Sequence, residues 1–255
     1  MTYATVTETP GHRVTHDAIT MMYTRYAFGA RYCEGRQVLE VGCGAGSGLG
    51  YLGTRARRVV AGDYTHELLA MARSHYGLRF PLVRLDGERL PFRERGFDVV
   101  LLYETIYYLQ DAGRFVDEAR RVLRPDGVLL ICTVNRDWAE FNPSPLSVRY
   151  FSAAELRRLL QQKGFACELF AGFPVAVGSA RDHVVSALKR SAVRLGLVPK
   201  TMKGKEFLKR VFLGRLVPVP PELTNGAGKF ETPVPVGGAA SVRDFKVIYA
   251  VGRVV

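Results

Sequence analysis

The sequence predicts an α/β protein built on a doubly wound, largely parallel sheet. Two observations lead there. Short apolar runs recur at regular intervals with amphipathic helical stretches between them, and the first run stops at a loop that is more than half glycine, in VLEVGCGAGSG at 38–48. Strands covered by helices on both faces read as continuous apolar runs, whereas a half-exposed sheet would alternate.

In chain order the strands are QVLEVG (37–42), RVVAGD (58–63), FPLVRLD (80–86), FDVVLLYE (97–104), GVLLICTVN (127–135), a sixth near 165–171 and FKVIYAVG (245–252), seven in all. Helices are expected near 46–56, 65–76, 111–123 and 152–164. In the last of these Ser152 and Glu155 have capping-box spacing and Gly164 is a stop signal. Ahead of the first strand, HDAITMMYTRYAFGARY reads as a helix with Met22, Tyr26 and Gly29 or Ala30 on one stripe. More than seventy residues separate strands six and seven. Of these, 181–197 and 203–216 read as helices whose apolar stripes suit a cap, and 217–240, with five prolines, as irregular chain. The expected organisation is an amino-terminal lid (1–36), a core (37–174), a helical insertion (175–243) and a final core strand (244–255).

Composition sets further bounds. The chain has 255 residues, 47% apolar and 24% charged, which suits a globular domain with a substantial core. No run of about 18 apolar residues is present, so no membrane span is expected. The first twenty residues lack a basic flank followed by an apolar stretch, so no secretory signal is read and a cytoplasmic protein is expected. Cys33, Cys43, Cys132 and Cys167 are widely spaced, as buried reduced thiols would be, and the five histidines show no metal-ligand spacing. Net charge is +12, of which residues 181–215 supply ten Lys or Arg against Asp182 and Glu206, a surplus of eight. Three partners fit that surplus: an anionic small molecule, an anionic membrane surface touched peripherally, or RNA. Nucleic acid fits least, because the basic stretch is interleaved with aliphatic rather than aromatic residues.

The glycine loop narrows the cofactor by elimination. A P-loop needs a lysine after its last glycine, and residues 37–54 contain neither Lys nor Arg. The dinucleotide fingerprint G-x-G-x-x-G fails in every register, its final position falling on Ser47, Leu49 or Tyr51. Acids end the next two strands instead: Asp63, placed to accept ribose hydroxyls, and Asp86, placed to accept from an adenine amino group. With Glu40, they suit a cationic cofactor that lacks phosphate.

Across roughly residues 20–170, through VLEVGCGAGSG, VVAGDYTHELLAMA, LDGERLPF, FDVVLLYETIYYL and EARRVLRPDGVLLI, the chain resembles the class I methyltransferases that depend on S-adenosyl-L-methionine (SAM). The resemblance implies a Rossmann-like seven-stranded sheet with its last strand antiparallel. It implies Gly42, Cys43 and Gly44 beside the methionyl part of SAM, with Glu40 on its amino group and Asp63 on the ribose. Tyr64 and Leu68 are implied against the adenine, Asp86 and Gly87 at its edge, and Tyr103 behind the sulfonium. An amino-terminal segment is implied to close over the cofactor; Tyr23, Tyr26 and Arg31 are the candidates for its carboxylate or for the lid, since Arg and Tyr donate well to carboxylates.

Ligands of open parallel sheets bind beyond the carboxyl ends of the strands. After strand four come Glu104, Tyr107 and Tyr108, the candidates for catalysis. The position of Tyr108 often carries histidine in related methyltransferases, so a histidine base does not transfer to this chain. A tyrosine base would need its pKa lowered from about 10. The acceptor expected is a small polar molecule, such as a sugar, nucleotide-linked sugar or secondary metabolite, methylated on oxygen or nitrogen. Two other readings stay open: an RNA methyltransferase, and a non-catalytic protein of this fold that binds an anionic polymer or membrane through 181–215. Oligomeric state is not legible.

Overall fold

The computed structural model describes residues 2–175, 216–237 and 242–255. The insertion 181–215, with its surplus of basic residues, therefore lies outside the described residues. In chain order the strands are β1 (Arg13–Val14), β2 (Gln37–Val41), β3 (Arg58–Asp63), β4 (Leu82–Arg84), β5 (Phe97–Tyr103), β6 (Leu123–Val134), β7 (Phe165–Pro174), β8 (Val217–Pro218), β9 (Val234–Pro235) and β10 (Phe245–Val254). The helices are α1 (His16–Ala30), α2 (Leu49–Gly53), α3 (His66–Tyr76), α4 (Ala112–Val122) and α5 (Ala153–Gln162), with a 3₁₀ turn at Ile106–Tyr108.

The main sheet has the order β4-β3-β2-β5-β6-β10-β7-β9. The pairings among β4, β3, β2, β5 and β6 are parallel, while β10 runs antiparallel between β6 and β7. The seven expected strands are all present. An eighth, β9, adds a two-residue antiparallel edge to β7, and β8 pairs with β1 in a small separate sheet. Sequence reading left 217–240 irregular, because two-residue strands flanked by proline leave no periodic signal.

Alternate residues of each strand feed two apolar layers. Val38, Val99, Leu101 and Leu130 face α1 and α2, whereas Leu39, Val100, Leu102 and Leu129 face α4 and α5. Both layers are buried, which explains why the strands are apolar at most positions rather than at alternate ones. Helix ends follow local chemistry. Asp111 accepts from the amides of Gly113 and Arg114 to start α4, and Ser152 with Glu155 forms the full capping box at α5. Asn135, fully buried past the end of β6, donates from Nδ2 to the carbonyls of Val242 and Phe245 and fixes the entry of β10.

Candidate active site

The site lies at the carboxyl ends of β2, β3 and β5, where the chain leaves the sheet in sharp turns. Gly42 takes φ +74°, and a Cβ there would collide with the Thr105 side chain, so no other residue fits without moving the loop after β5. Gly48 serves packing instead: the Tyr26 ring of α1 occupies the space that a side chain would need. The amides of Gly42 and Cys43 both donate to the Gly62 carbonyl, which ties the glycine loop to β3.

Asp63 closes the same knot. Its carboxylate accepts from the Gly44 amide at 2.9 Å and from the Thr65 amide at 2.8 Å, one on each oxygen. Burial pushes its pKa up, while these backbone donors pull the other way. Glu40, the penultimate residue of β2, is 1% exposed. Its Oε1 accepts from the Tyr26 hydroxyl at 2.6 Å, and its Oε2 is buried without a partner. Burial raises its pKa to about 7.

A third acid, half-buried, sits where β5 ends. Glu104 has φ +49°, a left-handed conformation that a non-glycine residue adopts only at a cost. Its carboxylate accepts from the Tyr107 hydroxyl at 3.1 Å and lies 3.6 Å from the Arg25 guanidinium of α1. Burial pushes the Glu104 pKa up, with Arg25 and Tyr107 opposing the rise. Tyr107 is itself nearly buried and stacks on Tyr150 at 4.4 Å, and the Tyr108 hydroxyl bonds to Ser144 Oγ at 2.7 Å. Burial raises both tyrosine pKa values, so both remain phenols near neutral pH.

The amino-terminal segment lies across this edge. Tyr3 sits between Tyr64 and Tyr108, with ring centroids 6.1 and 4.9 Å away, and its amide donates to Thr65 Oγ1. Thr7 reaches to within 3.3 Å of where a Gly44 side chain would begin. The segment is anchored through Gly11 and His12, which pair with Val219, and through β1 on β8.

Residues 39–131 match the methyltransferase domain family. A probable S-adenosylmethionine-dependent methyltransferase of Mycolicibacterium smegmatis is 39% identical over 145 residues, 54% of this chain and 55% of that protein. Over residues 39–131 this chain is thus similar to SAM-dependent methyltransferases. A ubiquinone biosynthesis O-methyltransferase of Rhodopseudomonas palustris is 29% identical over 139 residues, 52% of this chain and 54% of that one. The chain thus spans about half the length of the curated relatives it matches. The YcgJ protein of Bacillus subtilis superposes with a TM-score of 0.58 at 18% identity, covering 91% of this chain and 98% of that one, a likeness of fold.

The M. smegmatis relative depends by name on S-adenosylmethionine, and the residues present here fit that cofactor. The orphaned Glu40 oxygen is a buried acceptor awaiting a donor, and an ammonium group answers that need. The loop offers close backbone approach without positive charge, as a cationic ligand requires.

The fold gathers Glu40, Gly42, Cys43, Gly44 and Asp63 into one knot and sets Tyr26 against Glu40. Tyr103 packs edge-to-face on Tyr26 at 5.4 Å, its hydroxyl buried without a partner against Gly29. Tyr64 is 44% exposed and Leu68 fully buried beneath it. Asp86 is exposed and accepts from the Glu88 amide, with Gly87 buried beside it. Two lid candidates fall elsewhere. Arg31 is exposed at the far end of α1, and Tyr23 packs edge-on against Tyr51 at 5.6 Å. The arginine that α1 does bring to the site is Arg25, which sequence reading passed over because a charged residue beside an apolar stripe ordinarily faces water. Tyr3 was missed too, since nothing local links it to Thr65, 62 positions away.

Proposed function

We propose that the protein transfers the methyl group of SAM to oxygen or nitrogen on a small polar acceptor, and that a hydroxyl is the acceptor this site suits better. The observation that carries the choice is Glu104, a half-buried carboxylate held at the carboxyl end of β5 by Arg25 and Tyr107. A hydroxyl must lose its proton as it is methylated, whereas a neutral amine needs no base at the same step. When bound, the cofactor supplies an electrophilic methyl on a sulfonium. Glu104 would take the proton that the acceptor hydroxyl gives up as it receives the methyl. Burial raises the proton affinity of that carboxylate, which favours its role as acceptor of the proton.

In this reading Glu40 holds the methionyl ammonium, Asp63 the ribose, and Asp86 with Gly87 the adenine edge. Gly42, Cys43 and Gly44 border the methionyl chain, Tyr64 and Leu68 the adenine, and Tyr103 with Tyr26 closes the site from behind. Tyr107 and Tyr108 position rather than take protons, because their hydroxyls are already committed to Glu104 and Ser144. With Tyr3, Phe141 and Tyr150 they form an aromatic wall beside Glu104, which favours an acceptor with a flat or apolar portion beside its hydroxyl. The R. palustris relative is by name an O-methyltransferase, in keeping with oxygen as acceptor.

The test is transfer of labelled methyl from SAM to a panel of phenols, sugars, nucleotide-linked sugars, amines and bulk RNA. Labelling of a hydroxyl acceptor that falls sharply in Glu104→Gln supports the reading. Labelling of amines alone, or of RNA alone, overturns it.

A further inference from the structure

At the opposite end of the sheet, four loops meet that the sequence keeps far apart. They are 31–36 before β2, 54–58 before β3, 91–96 before β5 and 120–127 at the start of β6. Together they hold ten arginines, no lysine, and the acids Glu34, Glu94 and Asp126, a surplus of seven. Outside 181–215 the whole chain carries 26 Lys or Arg against 22 Asp or Glu, a surplus of only four. The rest of the described protein is therefore net negative by three, and this end carries all of its excess positive charge.

The loops are knit into one surface. The Gly35 amide donates to the Arg55 carbonyl, Arg58 to Arg36, and Arg95 to Arg121, while Arg124 Nε reaches the Arg95 carbonyl at 3.3 Å. Arg57 and Arg124 converge on the Gln37 amide oxygen, at 2.7 and 3.0 Å once that amide is turned to face them. Arg36, Arg57 and Arg124, against Asp98 and Asp126, line an open hollow of about 350 Å³. Of these ten arginines only Arg121 and Arg124 have carboxylate partners among the described residues, Glu118 and Asp98. Like charges gathered this closely repel one another, and a solvated face ordinarily mixes signs. At the same end, in the turn after α3, Leu78 is 90% exposed, more than any other large apolar side chain among the described residues.

We propose that this arginine end docks on an anionic phospholipid surface, leaving the mouth of the methyl-transfer site facing away from the bilayer. Diffuse positive charge spread over several loops suits a lipid surface, and an exposed Leu at its border suits shallow insertion. A single-stranded nucleic acid would call for exposed rings on which bases stack. Neither nearby ring is free for that: Tyr32 is half-buried with Arg253 over it, and Phe92 packs edge-on against Phe97 at 5.1 Å.

The experiment is co-sedimentation of the full chain with vesicles of phosphatidylcholine alone and with 40% phosphatidylglycerol, at low and physiological salt. Three proteins are compared: wild type, Arg36→Gln/Arg57→Gln/Arg58→Gln/Arg93→Gln, and Lys203→Gln/Lys205→Gln/Lys209→Gln/Arg210→Gln. The account expects binding only to the anionic vesicles, weakened about 100-fold or more by the four loop substitutions and far less by the insertion substitutions. S-adenosylhomocysteine binding by the loop variant, measured alongside, must stay at the wild-type level, which shows that it folds and keeps this proposal separate from the methyl-transfer reading. No vesicle binding by wild type overturns the proposal. So does binding that the loop variant keeps and the insertion variant loses, and so does loop-dependent binding to a polynucleotide with none to vesicles.

Discussion

The two ends of the central sheet are made from the same strands yet work by different physics. At the carboxyl ends of β2, β3 and β5, the proposed chemistry rests on a few enclosed acids: Glu40 and Asp63 are buried and Glu104 half-buried, and they accept hydrogen bonds of 2.6 to 3.1 Å. At the amino ends, ten arginines accumulate in solvent-facing loops, most without a carboxylate partner among the described residues. A buried acid acts through geometry and low dielectric, so a single substitution is felt in full. A surface charge acts through a sum screened by salt, so single substitutions there change little and only several together tell.

The comparison breaks first at Gly42. Its φ of +74° and the Thr105 side chain leave no room for a branched residue, so Gly42→Val is expected to cost about 3 kcal/mol in urea unfolding. Arg57→Gln, at the other end, is expected to stay within about 0.5 kcal/mol of wild type. Equal costs at the two ends would dissolve the contrast.

Next is Glu104→Gln, which keeps the shape and removes the proton acceptor. Methyl transfer to a hydroxyl should fall about 100-fold in kcat while the affinity for S-adenosylhomocysteine is unchanged. A matching loss of affinity would make Glu104 part of the cofactor site instead.

pH supplies a third handle. With a pKa of about 7, Glu40 is mostly neutral at pH 6 and mostly ionised at pH 8. A ligand ammonium binds the ionised form, so affinity for S-adenosylhomocysteine should rise about tenfold between these values, and Glu40→Gln should flatten the slope. Without ligand the sign is opposite. The folded pKa lies above the unfolded value, so the stability contributed by Glu40 is fully present below about pH 4.5 and lost as pH rises through 7.

The smallest effect is expected at Tyr108→Phe. Loss of the bond to Ser144 should cost about 1 kcal/mol of stability and change kcat less than about threefold. A large loss of kcat would restore Tyr108 to the chemistry.

Legibility followed the same divide. Gly42, Asp63 and the succession of strands along the chain were readable because a motif and its spacing lie within one short stretch, and the capping box at Ser152 because its partner is three residues away. Leu68 shows the limit: placing it near the adenine says nothing of its complete burial. Arg25 was hidden by its neighbours' periodicity, Tyr3 by a distance of 62 positions from Thr65, and Ser144 by one of 36 from Tyr108. The arginine end was hidden most fully, because no stretch of sequence contains it. Charge counted along the chain pointed to 181–215, and only the sheet order brings the four loops together.

The most direct test of the central claim is calorimetric titration with S-adenosylhomocysteine of wild type, Asp63→Ala and Arg57→Gln/Arg58→Gln. Micromolar binding by wild type, weakened about 100-fold or more in Asp63→Ala and unchanged in the arginine variant, is the predicted result, since Asp63 holds the glycine loop and, in the proposed reading, takes the ribose. A folded wild-type protein that does not bind, or an Asp63→Ala variant that binds as well as wild type, would contradict it.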